Sequence, residues 1–211
     1  MGCNPTADLS VDTTTRYATI RDMVRVKIVC IGSSAGGLAP TIEFFEHLAP
    51  NTGMAFVVIQ HLKADSPSLT PELLSRVTGM TVAAADDQQL ALPNHVYTMQ
   101  PNAQLTIADG RFQVAPRTET AGRHKPFDRF LNSLAIDCRE RATAVVLSGY
   151  DGDGSEGFVA IKARGGITYA QDRSAEVDEM PEHAMATGCV DHVLDPAHIA
   201  ERISKHELRE E

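Results

Sequence analysis

The chain has 211 residues, 43% hydrophobic and 22% charged, an ordinary composition for a globular protein with room for one full core. Its net charge of −9 disfavours nucleic acid as a main partner, because phosphate binding draws on a basic surface. No run of about 18 apolar residues occurs, so no membrane span is expected, and no apolar stretch near the start marks a secretory signal.

Residues 1–24 are polar, rich in Thr and Asp, and read as a flexible leader. Met1 to Thr6 formally fits an N-myristoylation pattern, a short pattern that arises often by chance. Val26–Ile31 is a continuous apolar strand, and Ala39–Leu48 carries Ile42, Phe45 and Leu48 at helical spacing. Ala55–Gln60 is a second buried strand, Leu69–Val77 a helix with Pro71 in its first turn, and Thr81–Ala85 a weaker strand. From Asn94 to Pro116 the texture turns to short β-like runs, His95–Met99, Leu105–Ile107 and Arg111–Ala115, with the hairpin signal Asp109-Gly110 between the last two. Asp128–Cys138 is an amphipathic helix and Ala142–Leu147 another apolar strand. Phe158–Ala163 (helix), Ile167–Ala170 (strand), Pro181–Thr187 (helix), Val190–Leu194 (strand) and Ala197–Ile203 (helix) complete the pattern.

Strands apolar on both faces and alternating with helices specify an α/β fold: a three-layer sandwich around a mostly parallel, doubly wound sheet, with a short β-hairpin insertion. The expected organisation is a leader over 1–24, one domain over 25–204 and a charged tail over 205–211. The four cysteines, Cys3, Cys30, Cys138 and Cys189, form no C-x-x-C pair, which points to reduced thiols and a cytoplasmic setting.

In such sheets, sites lie beyond the carboxyl ends of the strands. Gly32-Ser33-Ser34-Ala35-Gly36 fits G-x-S-x-G, the spacing that presents a serine hydroxyl at a strand-to-helix turn. Gln60 leads into His61, and Leu147 leads into Ser148-Gly149-Tyr150-Asp151-Gly152-Asp153-Gly154. A serine nucleophile needs a base and a group that orients the base. Ser34, His61 and an aspartate of the third loop supply those residue types on one rim. The helix that opens at the Gly turn, with the Ala35 amide at its start, suits a developing oxyanion.

Other chemistries fit less well. G-x-G-x-x-G fails because Ser34 stands at the second glycine, and no Walker lysine follows. Counted as a calcium loop from Asp151, the required Gly and Glu fall on Glu156 and Lys162. No zinc spacing occurs. No cofactor or metal is expected. The rim order Ser34, His61, Asp153 also differs from the Ser–Asp–His order of α/β-hydrolases.

The residues resemble those of the chemotaxis receptor methylesterases, the protein-glutamate methylesterases of bacterial chemotaxis. The resemblance runs from about Val26 to Ile203. It rests on Ile31 to Gly37, Ile59 to Leu62, Pro93 to Tyr97, Arg123 to Pro126, Leu147 to Gly154 and Ala170 to Asp172, together with Met180-Pro181, Ala184 and Gly188. It implies Ser34 as nucleophile, His61 as base, Asp153 as orienting carboxylate and the Tyr150 amide as an oxyanion donor. The implied activity is hydrolysis of γ-glutamyl methyl esters on chemoreceptors, with glutamine deamidation as a related activity. The implied partner is the cytoplasmic domain of a methyl-accepting chemoreceptor, with a methyltransferase or response regulator on a separate chain as further candidates. Arg123 and His124 are candidates for a substrate-facing rim, with a solvated loop as the alternative.

The sequence departs from the family pattern in two places. Ala35 stands where the family often has Thr. Tyr150-Asp151-Gly152 stands where it more often has a small residue or Met, then Gly, then Asn or Ser. Asp151 thereby adds a second carboxylate, able either to raise a neighbouring pKa or to compete for His61. Regulated members carry a receiver domain, for which the residues before the first strand are too few, so an excised module or freestanding esterase is expected. Two further readings stand beside the esterase: a non-catalytic docking module of the same fold, and nucleotide binding at the Gly turn.

Overall fold

The computed structural model describes residues 26–61, 69–118 and 124–207. The leader with its acylation pattern, Leu62, Arg123 and the last four residues lie outside the described residues.

Seven strands form one parallel sheet: β1 (Ile28–Ser33), β2 (Ala55–Gln60), β3 (Thr81–Ala84), β4 (His95–Thr98), β7 (Ala142–Val146), β8 (Ile167–Gln171) and β9 (His192–Leu194). Their order is β3-β4-β2-β1-β7-β8-β9, with every neighbouring pair parallel. The chain leaves β1 toward β2 on one side and returns to β7 on the other, so the switch of direction falls at the β1/β7 boundary. That is where open α/β sheets place their sites.

Alternation along the strands feeds two cores. Ile28, Cys30, Val57 and Ile59 face α3 (Pro126–Cys138), α4 (Ser155–Ala163) and α5 (Glu179–Ala186), against Phe127, Phe130, Leu131, Phe158 and Met180. Val29, Ile31, Phe56 and Val58 face α1 (Leu38–His47), α2 (Thr70–Val77) and α6 (Pro196–Glu207), against Phe44, Phe45, Leu74 and Ile199. With helices on both faces, the central strands must be apolar on both sides, which is why they read as continuous apolar runs.

The antiparallel hairpin β5 (Ala103–Ala108) and β6 (Arg111–Pro116) turns at Asp109 (φ 51°) and Gly110 (φ 69°). Both central residues have positive φ, the two-residue turn whose twist matches the flanking strands. The hairpin is tied to α3: Ile107 N–H donates to Ser133 Oγ at 3.1 Å, and Gly110 N–H to Asp137 Oδ2 at 3.1 Å. Phe112 bridges Tyr97 of β4 and Phe130 of α3.

Several boundaries move. β1 continues through Ser33, because Ser33 is buried and pairs with Gln60. His95–Thr98 belongs to the main sheet, between β2 and β3, rather than with the hairpin. The last helix runs past Ile203 into the expected tail, to Glu207, with a Lys205–Glu201 pair at 3.0 Å along its outer face.

Candidate active site

The β1–α1 turn carries Ser34, half-buried, just beyond the Ser33↔Gln60 register pair. His61 follows Gln60 on the neighbouring strand, and its N–H donates to Ser33 O at 3.4 Å. The two residues therefore leave adjacent parallel strands at the same level. Gln60 holds this edge: its Nε2 donates to Ser33 Oγ at 3.3 Å, and its Oε1 accepts from Thr70 Oγ1, at the start of α2, at 2.6 Å.

The turn is packed against the β7–α4 loop. Ser34 N–H donates to Ser148 O at 3.0 Å. Ser148 Oγ donates to Ala35 O at 2.9 Å and accepts from Val177 N–H at 3.0 Å. Ser148 N–H donates to Gln171 Oε1 at 2.9 Å, which gives the Ala170-Gln171-Asp172 block a structural role at the end of β8. A Cβ at Gly149 would crowd Ser34 Cβ at 2.9 Å and the Met180 sulfur, so only glycine lets this loop approach the serine.

Asp153 is the buried anchor of the rim, 1% exposed. Its Oδ2 accepts from His61 Nε2 at 2.6 Å and from Phe127 N–H at 3.0 Å, and its Oδ1 accepts from Asp128 N–H at 2.9 Å. The two amides are the second and third of α3, which begins with Pro126, so Asp153 satisfies donors that a helix start leaves unpaired. Asp128 returns the arrangement: its Oδ1 accepts from Gly157 N–H at 2.8 Å, in the first turn of α4, and its Oδ2 from Lys125 Nζ at 3.2 Å. Burial pushes the Asp128 carboxyl above its ordinary range, as does the charge of Asp153, against the opposing pull of the Gly157 amide and Lys125.

The two amides hold the Asp153 carboxylate, and the carboxylate holds the imidazole. A carboxylate oxygen only accepts, so Nε2 carries the proton and Nδ1 keeps its lone pair. Burial works against the charged imidazole, but the hydrogen bond and charge of Asp153 and the charge of Asp151 outweigh it, and His61 titrates above the ordinary histidine value. His124, half-buried, titrates below that value, because burial and the positive charges of Arg117 and His61 disfavour its own charge.

The structure thus joins His61 directly to Asp153 and brings Ser34 to the neighbouring strand end. No hydrogen bond links Ser34 Oγ to His61 among the described residues. The Ala35 and Tyr150 amides likewise have no acceptor among the described residues. Tyr150 is exposed at the rim, and His61 is close enough to His124 for its charge to act there. Asp151 does not compete for Nε2: its Oδ2 lies 3.8 Å from the other nitrogen, Nδ1.

Sequence reasoning missed Asp128 and Arg117. The signal for Asp128 was present, an acidic residue two positions after a proline that opens a helix. Arg117 follows β6 with no motif around it, and only the folded hairpin brings its charge to His61 and His124.

Comparison with known proteins assigns the family and agrees with this fold. The family model for CheB methylesterase matches residues 29–203. A protein-glutamate methylesterase/protein-glutamine glutaminase 2 of Shewanella oneidensis is 27% identical over 207 residues, covering 96% of this chain and 59% of the relative. A protein-glutamate methylesterase/protein-glutamine glutaminase of Bordetella parapertussis is 33% identical over 184 residues, covering 84% of this chain and 52% of the relative. The chain therefore spans a little over half the length of these relatives. The crystal structure of the Thermotoga maritima CheB methylesterase catalytic domain superposes with a TM-score of 0.76 at 28% identity, over 86% of this chain and 98% of that domain.

Proposed function

The chain belongs to the CheB methylesterase family, and from that premise we propose that it is a serine hydrolase acting on γ-glutamyl methyl esters of chemoreceptors. Ser34 Oγ attacks the ester carbonyl carbon while His61 Nδ1 takes its proton. The Ala35 and Tyr150 amides hold the resulting oxyanion. Collapse of the tetrahedral intermediate breaks the bond to methoxide, His61 returns the proton, and methanol leaves. Water then attacks the Ser34 acyl ester with His61 again as base, which yields the glutamate carboxylate and the free serine. Deamidation of a receptor glutamine follows the same steps with ammonia as leaving group.

The observation that carries the reading is the His61 Nε2–Asp153 Oδ2 hydrogen bond at 2.6 Å, beside a serine on the adjoining strand end. It leaves Nδ1 as the nitrogen with a lone pair, the state a general base requires. Serine–histidine contacts often tighten only when substrate binds, so the absent Ser34 hydrogen bond is compatible with this role. The substrate is the cytoplasmic domain of a methyl-accepting chemoreceptor, which places the reaction in the cytoplasm. A methyltransferase or response regulator completes the adaptation circuit, and His124 forms part of the substrate rim.

Methanol release from a methylated receptor fragment tests the reading, alongside stoichiometric labelling of Ser34 by a serine-directed phosphonate. Release that disappears in Ser34→Ala is expected. Equal release by that variant removes the mechanism. Receptor binding without release or labelling replaces it with the docking reading.

A further inference from the structure

Asp151 sits in the β7–α4 loop two residues before Asp153. Its φ is 71°, in the left-handed region that favours glycine, though Asp and Asn tolerate it better than other residues. The side chain is nonetheless oriented. Oδ1 accepts from Asp153 N–H at 2.7 Å, and the Asp151 N–H donates to Glu179 Oε2 at 3.2 Å. With one oxygen tied to the loop and the backbone tied to α5, the second oxygen faces the imidazole, 3.8 Å from His61 Nδ1. The opposite edge of the ring is held by Asp153. The imidazole therefore lies between two carboxylates, one wholly buried and one 59% exposed.

We propose that Asp151 is a second positioning carboxylate for His61, acting on Nδ1 while Asp153 acts on Nε2. The proposal rests on the esterase reading for its kinetic consequence but not for its electrostatic one. When His61 holds the serine proton, both nitrogens carry hydrogen, and each then faces an anion. Asp151 thereby stabilises the imidazolium that forms as Ser34 attacks. The same contact makes the imidazolium harder to deprotonate to the neutral base. The device speeds the reaction once His61 is neutral and shifts the pH at which it becomes so upward.

The charged groups around His61 are Asp153 and Asp151 from the β7–α4 loop, Arg117 after β6 and His124 before α3. Arg117 opposes the two carboxylates at His61, so removing Asp151 leaves Asp153 alone against it. An exposed charge pair at this separation corresponds to a shift of about 0.3–0.7 pH unit.

Two variants test the inference. Asp151→Asn removes the charge and keeps the loop hydrogen bond. Asp151→Gly removes the side chain where the backbone favours glycine, so it folds without added strain. The His61 imidazole is titrated by NMR in the wild type and both variants, its resonance assigned by loss in His61→Gln. A fall of about 0.3–0.7 unit in both variants is expected. The acid limb of kcat/KM for methanol release should move down by the same amount, with a lower plateau kcat. A merely structural residue would change thermal stability and leave the limb in place. An unchanged or raised His61 titration in both variants overturns the proposal. If the wild type releases no methanol, the esterase reading fails while the NMR titration still decides the role of Asp151.

Discussion

Asp153 and Asp151 stand two residues apart in one loop, approach the same imidazole, and differ in everything except chemistry. Asp153 is buried and takes hydrogen bonds from the ring and from two amides at the start of α3. Asp151 is largely exposed, takes one bond from its own loop, and meets the ring across 3.8 Å. Water screens the second charge and not the first. The number of donors and the depth of burial, rather than residue type, separate a carboxylate that fixes a tautomer from one that only biases a charge.

The comparison presupposes a reaction that both carboxylates serve, and Ser34→Ala tests that presupposition with the largest effect. Loss of kcat on the order of 10⁶-fold is expected from removing a serine nucleophile, with folding intact by circular dichroism. Asp153→Asn comes next. Both Asp153 oxygens accept from N–H donors, so an amide must turn its NH₂ toward one of them. A fall of kcat on the order of 10⁴-fold is expected from the lost tautomer control. A stability loss of about 1–3 kcal/mol accompanies it, from the donor left unpaired beside α3. Rates within about tenfold of wild type would mean that Asp153 is only a helix cap, and the contrast with Asp151 would collapse.

Most of the architecture was legible because it follows from periodicity. β2 is found over Ala55–Gln60 as read, and the Asp109-Gly110 turn joins β5 and β6. A continuous apolar run cannot be solvated on either face, so a doubly covered parallel sheet was the consistent outcome. Residues at strand ends were legible too, since such sheets put their chemistry there. What the residues did not reveal is long-range pairing of polar groups. Whether Asp151 or Asp153 holds His61 depends on where α3 begins in space. The Asp128–Gly157 bond links two helices whose sequence separation carries no signal. Pro93 to Tyr97 illustrates the reverse case. The block marks the family, yet it is structural here: Asn94 Oδ1 accepts from Gly53 N–H at 2.8 Å, and the Tyr97 hydroxyl accepts from Leu92 N–H at 3.0 Å.

Asp128→Ala sharpens the comparison by removing a buried carboxylate that does not touch His61. Gly157 N–H loses its acceptor in the first turn of α4, which costs about 1–2 kcal/mol in chemical denaturation. Asp153 keeps its two amides and His61, so kcat should stay within about tenfold of wild type. A loss as large as that of Asp153→Asn would show that the reciprocal capping of α3 and α4, and not the single bond to His61, sets the imidazole.

The smallest effect is in stability and comes from His61 itself. Its folded pKa lies above the unfolded value near about 6.5, with burial opposing and the bond and charge of Asp153, then Asp151, prevailing. A raised folded pKa means that the native state holds the proton more tightly than the unfolded chain. The added stability is therefore complete below the unfolded pKa and disappears as pH rises through the folded one. Urea unfolding of wild type and His61→Gln should differ more at about pH 5.5 than at about pH 8.5, with the wild type gaining at the lower pH. Asp151→Asn should narrow that window from its upper end, because it lowers the folded pKa and leaves the unfolded one in place. A window of unchanged width in Asp151→Asn would assign the whole effect to Asp153 and reduce the exposed carboxylate to a loop residue.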